Sequence, residues 1–182
     1  MTLTFFPTAI AGVVRVELGP IRDDRGFFAR AWCEDEFGAA GMATTWVQAN
    51  LAHNPAAGTL RGLHYQREPN AEAKLVRCTR GRVQDVAVDL RPDSPTFRRW
   101  EAAELSAERG EMLYIGPGCA HGYLTLEAGS DIFYQTSARY APGSATGVRF
   151  DDPAFGIDWA GPILLVSEAD RGWPLHDGPN RP

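Results

Sequence analysis

At 182 residues, 44% apolar and 23% charged, the chain is long enough for one domain with a full core and too apolar for disorder. Its net charge of −5 argues against a nucleic-acid-binding surface and leaves room for a local cationic pocket that takes a small anion. Cys33, Cys78 and Cys119 are odd in number and widely spaced, so neither a disulfide framework nor a zinc site is indicated, and a reducing, cytoplasmic setting is expected.

Along the chain, Ala9 and Ala11 form a small-x-small triplet, but no Lys or Arg precedes it and Pro7 breaks the apolar run, so no signal peptide is expected. No apolar stretch approaches the ~20 residues that span a bilayer, and no membrane partner is expected. Strands are expected at residues 13–18, 27–32, 46–52, 59–66, 74–79, 82–90, 99–105, 111–115, 122–126 and 131–136. Their alternation is clearest where Val86, Val88 and Leu90 share one face. Turn chemistry separates them, as at Arg80-Gly81 and Gly116-Pro117-Gly118. Helix is expected only over 34–40 and near 167–171. With no crossover helices, the pattern predicts an all-β sandwich or barrel with short peripheral helices, one domain over 1–182 and a loose tail over 176–182.

Polar side chains interrupt these apolar strands repeatedly, as expected for a pocket inside a barrel. Thr59-Leu60-Arg61-Gly62-Leu63-His64-Tyr65-Gln66 sets an arginine and a histidine into a strand that otherwise reads as buried. Arg61 and His64 are three residues apart, so a regular strand would point them to opposite faces; Gly62 between them is a natural bulge site. Gln48 and Asn50 alternate with Val47 and Ala49, giving an amide-lined face that suits a pocket wall better than a dry core. Lys74 shares a strand face with Val76 and Cys78, and a lysine buried there needs a partner that a bound anion would supply. The aspartates around residues 85–93 read as strand-end and turn residues.

Taken in order, Arg25-Gly26-Phe27-Phe28, Gln48-x-Asn50, Arg61-Gly62-Leu63-His64-Tyr65-Gln66, Lys74-Leu75-Val76, Asp85-Val86-x-x-Asp89-x-Arg91, Ala120-His121-Gly122-Tyr123 and Ser167-x-x-Asp170 resemble the dTDP-4-dehydrorhamnose 3,5-epimerase family. The matches run from about Asp24 to Trp173. The resemblance implies a jelly-roll (cupin-like) fold, a homodimer, a nucleotide-diphosphate 4-keto-6-deoxy sugar as substrate, and no metal or organic cofactor. Inverting a carbon beside a ketone needs a base on one face, an acid on the other, and positive charge near the enolate oxygen. His64 suits the base, and the resemblance supplies Asp170 as the carboxylate that orients it. It likewise implies Tyr134 as the acid and Lys74 and Arg61 as cations near the enolate and sugar. Tyr140 would stack on the nucleotide, and Gln48, Asn50 and His121 would line the substrate site. Arg25 with Phe27 would contact phosphate or nucleotide, in the partner subunit's site.

Three positions depart from the family pattern at the nucleotide end. Arg30 stands where glutamate is common, Ser144-Ala145 where a glutamate often follows the second tyrosine, and Glu168-Ala169 where a basic residue often precedes the dyad aspartate. Arg30 offers donors and no acceptor, which would suit cytosine or guanine better than thymine, so a CDP- or GDP-linked keto sugar stays open, as does inversion at C3 alone or C5 alone. Two readings from other classes remain beside these. His121 after Pro117-Gly118 is similar to the late histidine of metal-dependent cupins, but Gln66 occupies the position where their second histidine stands. A non-catalytic sugar-binding cupin would fit the pocket without using base, acid and cation together.

Overall fold

The computed structural model describes residues 2–176. In chain order the strands are β1 (Thr4–Pro7), β2 (Val13–Glu17), β3 (Ile21–Asp23), β4 (Gly26–Phe28), β5 (Gln48–Asn54), β6 (Thr59–Gln66) and β7 (Lys74–Arg80). They continue as β8 (Arg82–Asp89), β9 (Trp100–Ser106), β10 (Met112–Ile115), β11 (Cys119–Thr125), β12 (Ser130–Thr136), β13 (Ala145–Gly147) and β14 (Leu165–Val166). The helices are α1 (Glu34–Ala39) and α2 (Glu168–Arg171). One sheet has the order β1-β2-β10-β7-β12-β5 and the other β13-β6-β11-β8-β9. Pairing is antiparallel throughout except for β14, which lies parallel against the start of β6. The two sheets face each other as a cupin-like jelly roll.

Side-chain alternation decides which face of each strand is inside. On β7, Val76 and Cys78 join Ile132 of β12 and Leu113 and Ile115 of β10 in the core between the sheets. Leu75 points the other way, into a second cluster where α1 covers the outer face of the first sheet. That helix is too short to stand on propensity. It is held by Phe37, which is fully buried and meets Phe5 edge-on at 5.3 Å between ring centroids. Burying such a ring stabilises by roughly 1.5–3 kcal/mol. On β8, Val83 and Ala87 face inward, whereas Val86 and Val88 pack outward with Leu90 against Val148 and Phe155, the face-sharing their spacing predicts.

The interior changes character along its length. Following β7 back from Cys78 through Val76 leads to Lys74, and following β12 on from Ile132 leads to Tyr134 and Thr136. The inward row thus passes from dry core to cavity wall. The core anchors the strands whose other ends carry the site.

Several sequence expectations need correction. The strand expected over 27–32 stops at Phe28, because β4 pairs only with β3 in a two-stranded ribbon outside both sheets, while Trp32 turns back to pack beside Phe37. β1, β3, β13 and β14 were not anticipated; they have two to four residues each, too few for alternation to register. Asp85 is no strand-end residue: it lies mid-strand and fully buried. Of the tail expected over 176–182, residues 177–182 lie outside the described residues. His176 is not loose, since its ring stacks on Phe155 and meets Phe97 edge-on. No helix among the described residues is long and apolar enough to cross a membrane.

Candidate active site

Between the sheets lies a cavity of ≈ 780 Å³, a size suited to an organic ligand of several rings. The first sheet contributes Gln48, Asn50, Lys74, Tyr134 and Thr136; the second contributes Arg61, His64, Gln66, His121 and Tyr123. Glu72, Tyr140, Pro142, Leu165, Asp170 and Trp173 also line it.

Arg61 and His64 reach the same cavity because β6 is irregular between them. Opposite β11, His64 pairs with His121 and Arg61 with Tyr123, so a step of three residues on β6 matches two on β11, which is a bulge. The extra residue reverses the facing, and Leu63 turns outward into a core cluster. Gly62 has φ +123°, and a Cβ there would lie 2.6 Å from Gly122 Cα. Glycine is therefore required for the strands to approach so closely. The Gly62–Leu63 peptide is cis.

His64 Nε2 lies 2.6 Å from Asp170 Oδ1. A carboxylate accepts the Nε2 proton and leaves Nδ1 as the lone pair in the neutral ring. Asp170 is set by α2, whose N-cap Ser167 accepts the Asp170 backbone N–H at 3.1 Å, and its Oδ2 accepts the Gly62 N–H at 3.3 Å. Burial by itself would raise the Asp170 carboxyl, but the hydrogen bond and charge of His64, with the Gly62 and Ser167 bonds, outweigh it and hold the group below its ordinary range.

Lys74 is buried, and its Nζ donates to the His64 carbonyl at 3.0 Å and pairs with Glu72 Oε1 at 3.4 Å. Burial pulls the ammonium below the usual lysine range, and Glu72 opposes that pull. Gln66 fixes Glu72 through an Nε2–H bond of 3.0 Å to Oε2. Burial, then the Glu72 charge, push the Tyr134 phenol up, so it stays protonated through neutral pH. Glu72 was missed in the sequence, although its spacing of two from Lys74 on an extended chain was a usable signal.

His121 Nε2 lies 2.9 Å from Asp85 Oδ2, with both groups buried. Asp85 too was missed; it alternates out of phase with outward-facing Val86 and Val88, which forces it inward. Arg61 donates Nε–H to Asn54 Oδ1 at 2.9 Å, and the Tyr123 hydroxyl donates to the same oxygen at 3.3 Å. Burial raises that phenol to about 12. Gln48 donates to Asn50 at 3.0 Å and accepts the Tyr140 backbone N–H at 3.2 Å, which ties the exposed Tyr140 ring to the cavity wall. Among the described residues, no three His, Cys, Asp or Glu side chains converge as a metal-ligand group.

Three expected residues do not line the cavity of their own chain. Arg25 is exposed and paired with Asp23 at 2.5 Å, and Phe27 is exposed on the same ribbon. Arg30 is paired with Glu36 of α1 at 2.5 Å. Glu36 also accepts the Leu3 N–H at 2.8 Å, so Arg30 serves the seam between the N-terminal segment and α1.

A cupin-like jelly roll with a histidine–carboxylate pair on one wall and a tyrosine and a buried lysine on the other carries the kinds of group that acid–base enzymes use. Residues 7–177 match the family model described as dTDP-4-dehydrorhamnose 3,5-epimerase, and the chain belongs to that family, whose members are isomerases. It is 42% identical over 171 residues to the dTDP-4-dehydrorhamnose 3,5-epimerase of Sinorhizobium fredii, spanning 93% of this chain and 88% of the relative. The crystal structure of the Bacillus anthracis enzyme with TDP and PPi bound superposes with a TM-score of 0.92 at 34% identity, covering 96% of this chain and 100% of that one. The Legionella pneumophila enzyme in complex with dTDP-4-keto-L-rhamnose gives 0.88 at 34% identity, covering 94% and 92%.

Proposed function

We propose that this chain inverts C3 and C5 of a nucleotide-diphospho-4-keto-6-deoxyhexose, of the dTDP-4-keto-6-deoxyglucose type, in deoxysugar biosynthesis. The observation that carries the reading is the His64–Asp170 dyad on the second sheet with Tyr134 across the cavity on the first. His64 Nδ1 takes the proton from the carbon beside the ketone, and the resulting imidazolium is supported by Asp170. The electron pair moves onto the 4-keto oxygen as an enolate, which the Lys74 ammonium stabilises. Tyr134 returns a proton to the opposite face, and the configuration is inverted. Both carbons flank the same carbonyl, so one base and one acid serve both, once solvent has taken the proton from His64 and returned one to Tyr134. TDP in one solved relative and a dTDP-linked keto sugar in another support the substrate class.

The enzyme acts as a homodimer. The support is the β3–β4 ribbon, which displays Ile21, Phe27 and Phe28 at 57%, 51% and 67% exposure. A second copy would bury this apolar arm and bring Arg25 to the partner's nucleotide. The three free cysteines, Cys33, Cys78 and Cys119, support a reducing, cytoplasmic setting. Incubation in D2O with dTDP-4-keto-6-deoxyglucose tests the activity by NMR. Deuterium is expected at C3 and C5; incorporation at one carbon alone would make this a single-centre epimerase, and none at either would end the epimerase reading.

A further inference from the structure

Trp173 and Gly147 take no part in the proton transfers, yet both press on the dyad. β13 pairs with β6 so that Gly147 stands directly opposite His64. A Cβ on Gly147 would lie 2.5 Å from both Cε2 and Nε1 of Trp173, closer than any real side chain approaches. The missing side chain is therefore the space the indole occupies. From there Trp173 meets the His64 ring edge-on, with centroids 6.2 Å apart and planes at 71°. Its Nε1 lies 3.4 Å from Asp170 Oδ1, the oxygen that also accepts Nε2–H of His64.

We infer that Trp173 is a positioning residue for the His64–Asp170 dyad, seated by the absence of a side chain at Gly147; the inference rests on the acid–base reading of the site. An indole N–H on Oδ1 adds to the Gly62 N–H on Oδ2, so both carboxylate oxygens are held and Asp170 cannot rotate away from the imidazole. The indole edge stops the imidazole from turning and excludes water from that side. Because the indole draws on the oxygen that faces the ring, it also moderates the support given to the imidazolium. The other charged groups of the cavity are Lys74, bonded to the His64 carbonyl with Glu72 behind it, His121 opposite with Asp85, and Arg61, bonded to Asn54. None of these pairs touches Asp170, so the contact of Trp173 with the dyad carboxylate is separate from theirs.

The test compares wild type with Trp173→Phe, which keeps a ring and removes the donor, and with Gly147→Ala, which keeps the donor and removes its seat. Imidazole ¹⁵N NMR reads the His64 tautomer, and turnover of dTDP-4-keto-6-deoxyglucose is followed against pH. Wild type should hold the proton on Nε2. Both variants should show a mixed tautomer, kcat lower by roughly tenfold, as for partners that orient a working histidine, an unchanged KM, and an acidic limb moved to higher pH. A wild-type tautomer and pH profile in Trp173→Phe would overturn the inference, as would a raised KM with the tautomer intact, which would make the indole a substrate contact. If Gly147→Ala fails to fold, Trp173→Phe alone decides. If wild type turns over no keto sugar, the epimerase reading fails, while the tautomer measurement still decides the role of Trp173.

Discussion

His64 and His121 stand directly opposite each other on β6 and β11, and each commits Nε2 to a carboxylate, Asp170 at 2.6 Å and Asp85 at 2.9 Å. What separates them is access. The His64 side chain is 46% exposed and that of His121 only 7%, so the His64 ring is the more open of the two to a ligand in the cavity.

His64→Ala should lower turnover by ~10²–10⁴-fold, the usual contribution of a positioned acid or base, with the fold kept. His121→Ala should cost less in rate and more in stability, because it leaves the Asp85 carboxylate buried without its partner. Steady-state kinetics alongside thermal melts separates the two; equal rate losses would mean that both histidines act on substrate.

Tyr134→Phe should spare exchange more than inversion. Abstraction by His64 precedes reprotonation on the far face, so deuterium from D2O should still enter the substrate while the inverted product falls by ~10²-fold or more. Parallel loss of exchange and inversion would place Tyr134 in the first step.

Glu72→Gln should move the alkaline limb of the rate profile to lower pH. Burial depresses the Lys74 ammonium and the Glu72 charge opposes it; deleting that charge lets Lys74 lose its proton earlier as pH rises, and the enolate loses its cation. A rate profile from pH 6 to 10 checks the sign, and an unmoved alkaline limb would show that Lys74 does not govern it.

Asp89 predicts where acid destabilises the fold. It is fully buried and takes hydrogen bonds from Arg91, Ser94 and Thr96; burial would raise its carboxyl, but these donors bring it down to about 2 from 3.8. A depressed carboxyl stabilises the native state above its unfolded pKa, and that contribution, about 2 kcal/mol, disappears as pH falls from about 4 towards 2. Asp89→Asn should be less stable by a similar amount at pH 7 and lack this component in acid. Denaturant titrations at pH 7, 4 and 2 measure it.

The sequence carried most of the barrel because turn residues bound the strands and β7 and β8 alternate between faces, and the odd spacing of Arg61 and His64 pointed to a bulge at Gly62 in β6. The amide face of Gln48 and Asn50 was readable in the same way. What escaped were partners brought together by neighbouring strands. Asp85 meets His121 across the β8–β11 register, and Trp173 meets Gly147 across two short segments, with no local pattern to mark either pair. Arg30 pairs through one guanidinium nitrogen with Glu36, six residues on in α1, a partner that the spacing alone did not mark.

Asp170 follows His64 by 106 residues, and β14, just before it, docks on the first residues of β6. As the polypeptide leaves the ribosome, the histidine therefore emerges long before its carboxylate. On the proposed acid–base reading, the group that completes the dyad is thus supplied by the last helix of the described residues.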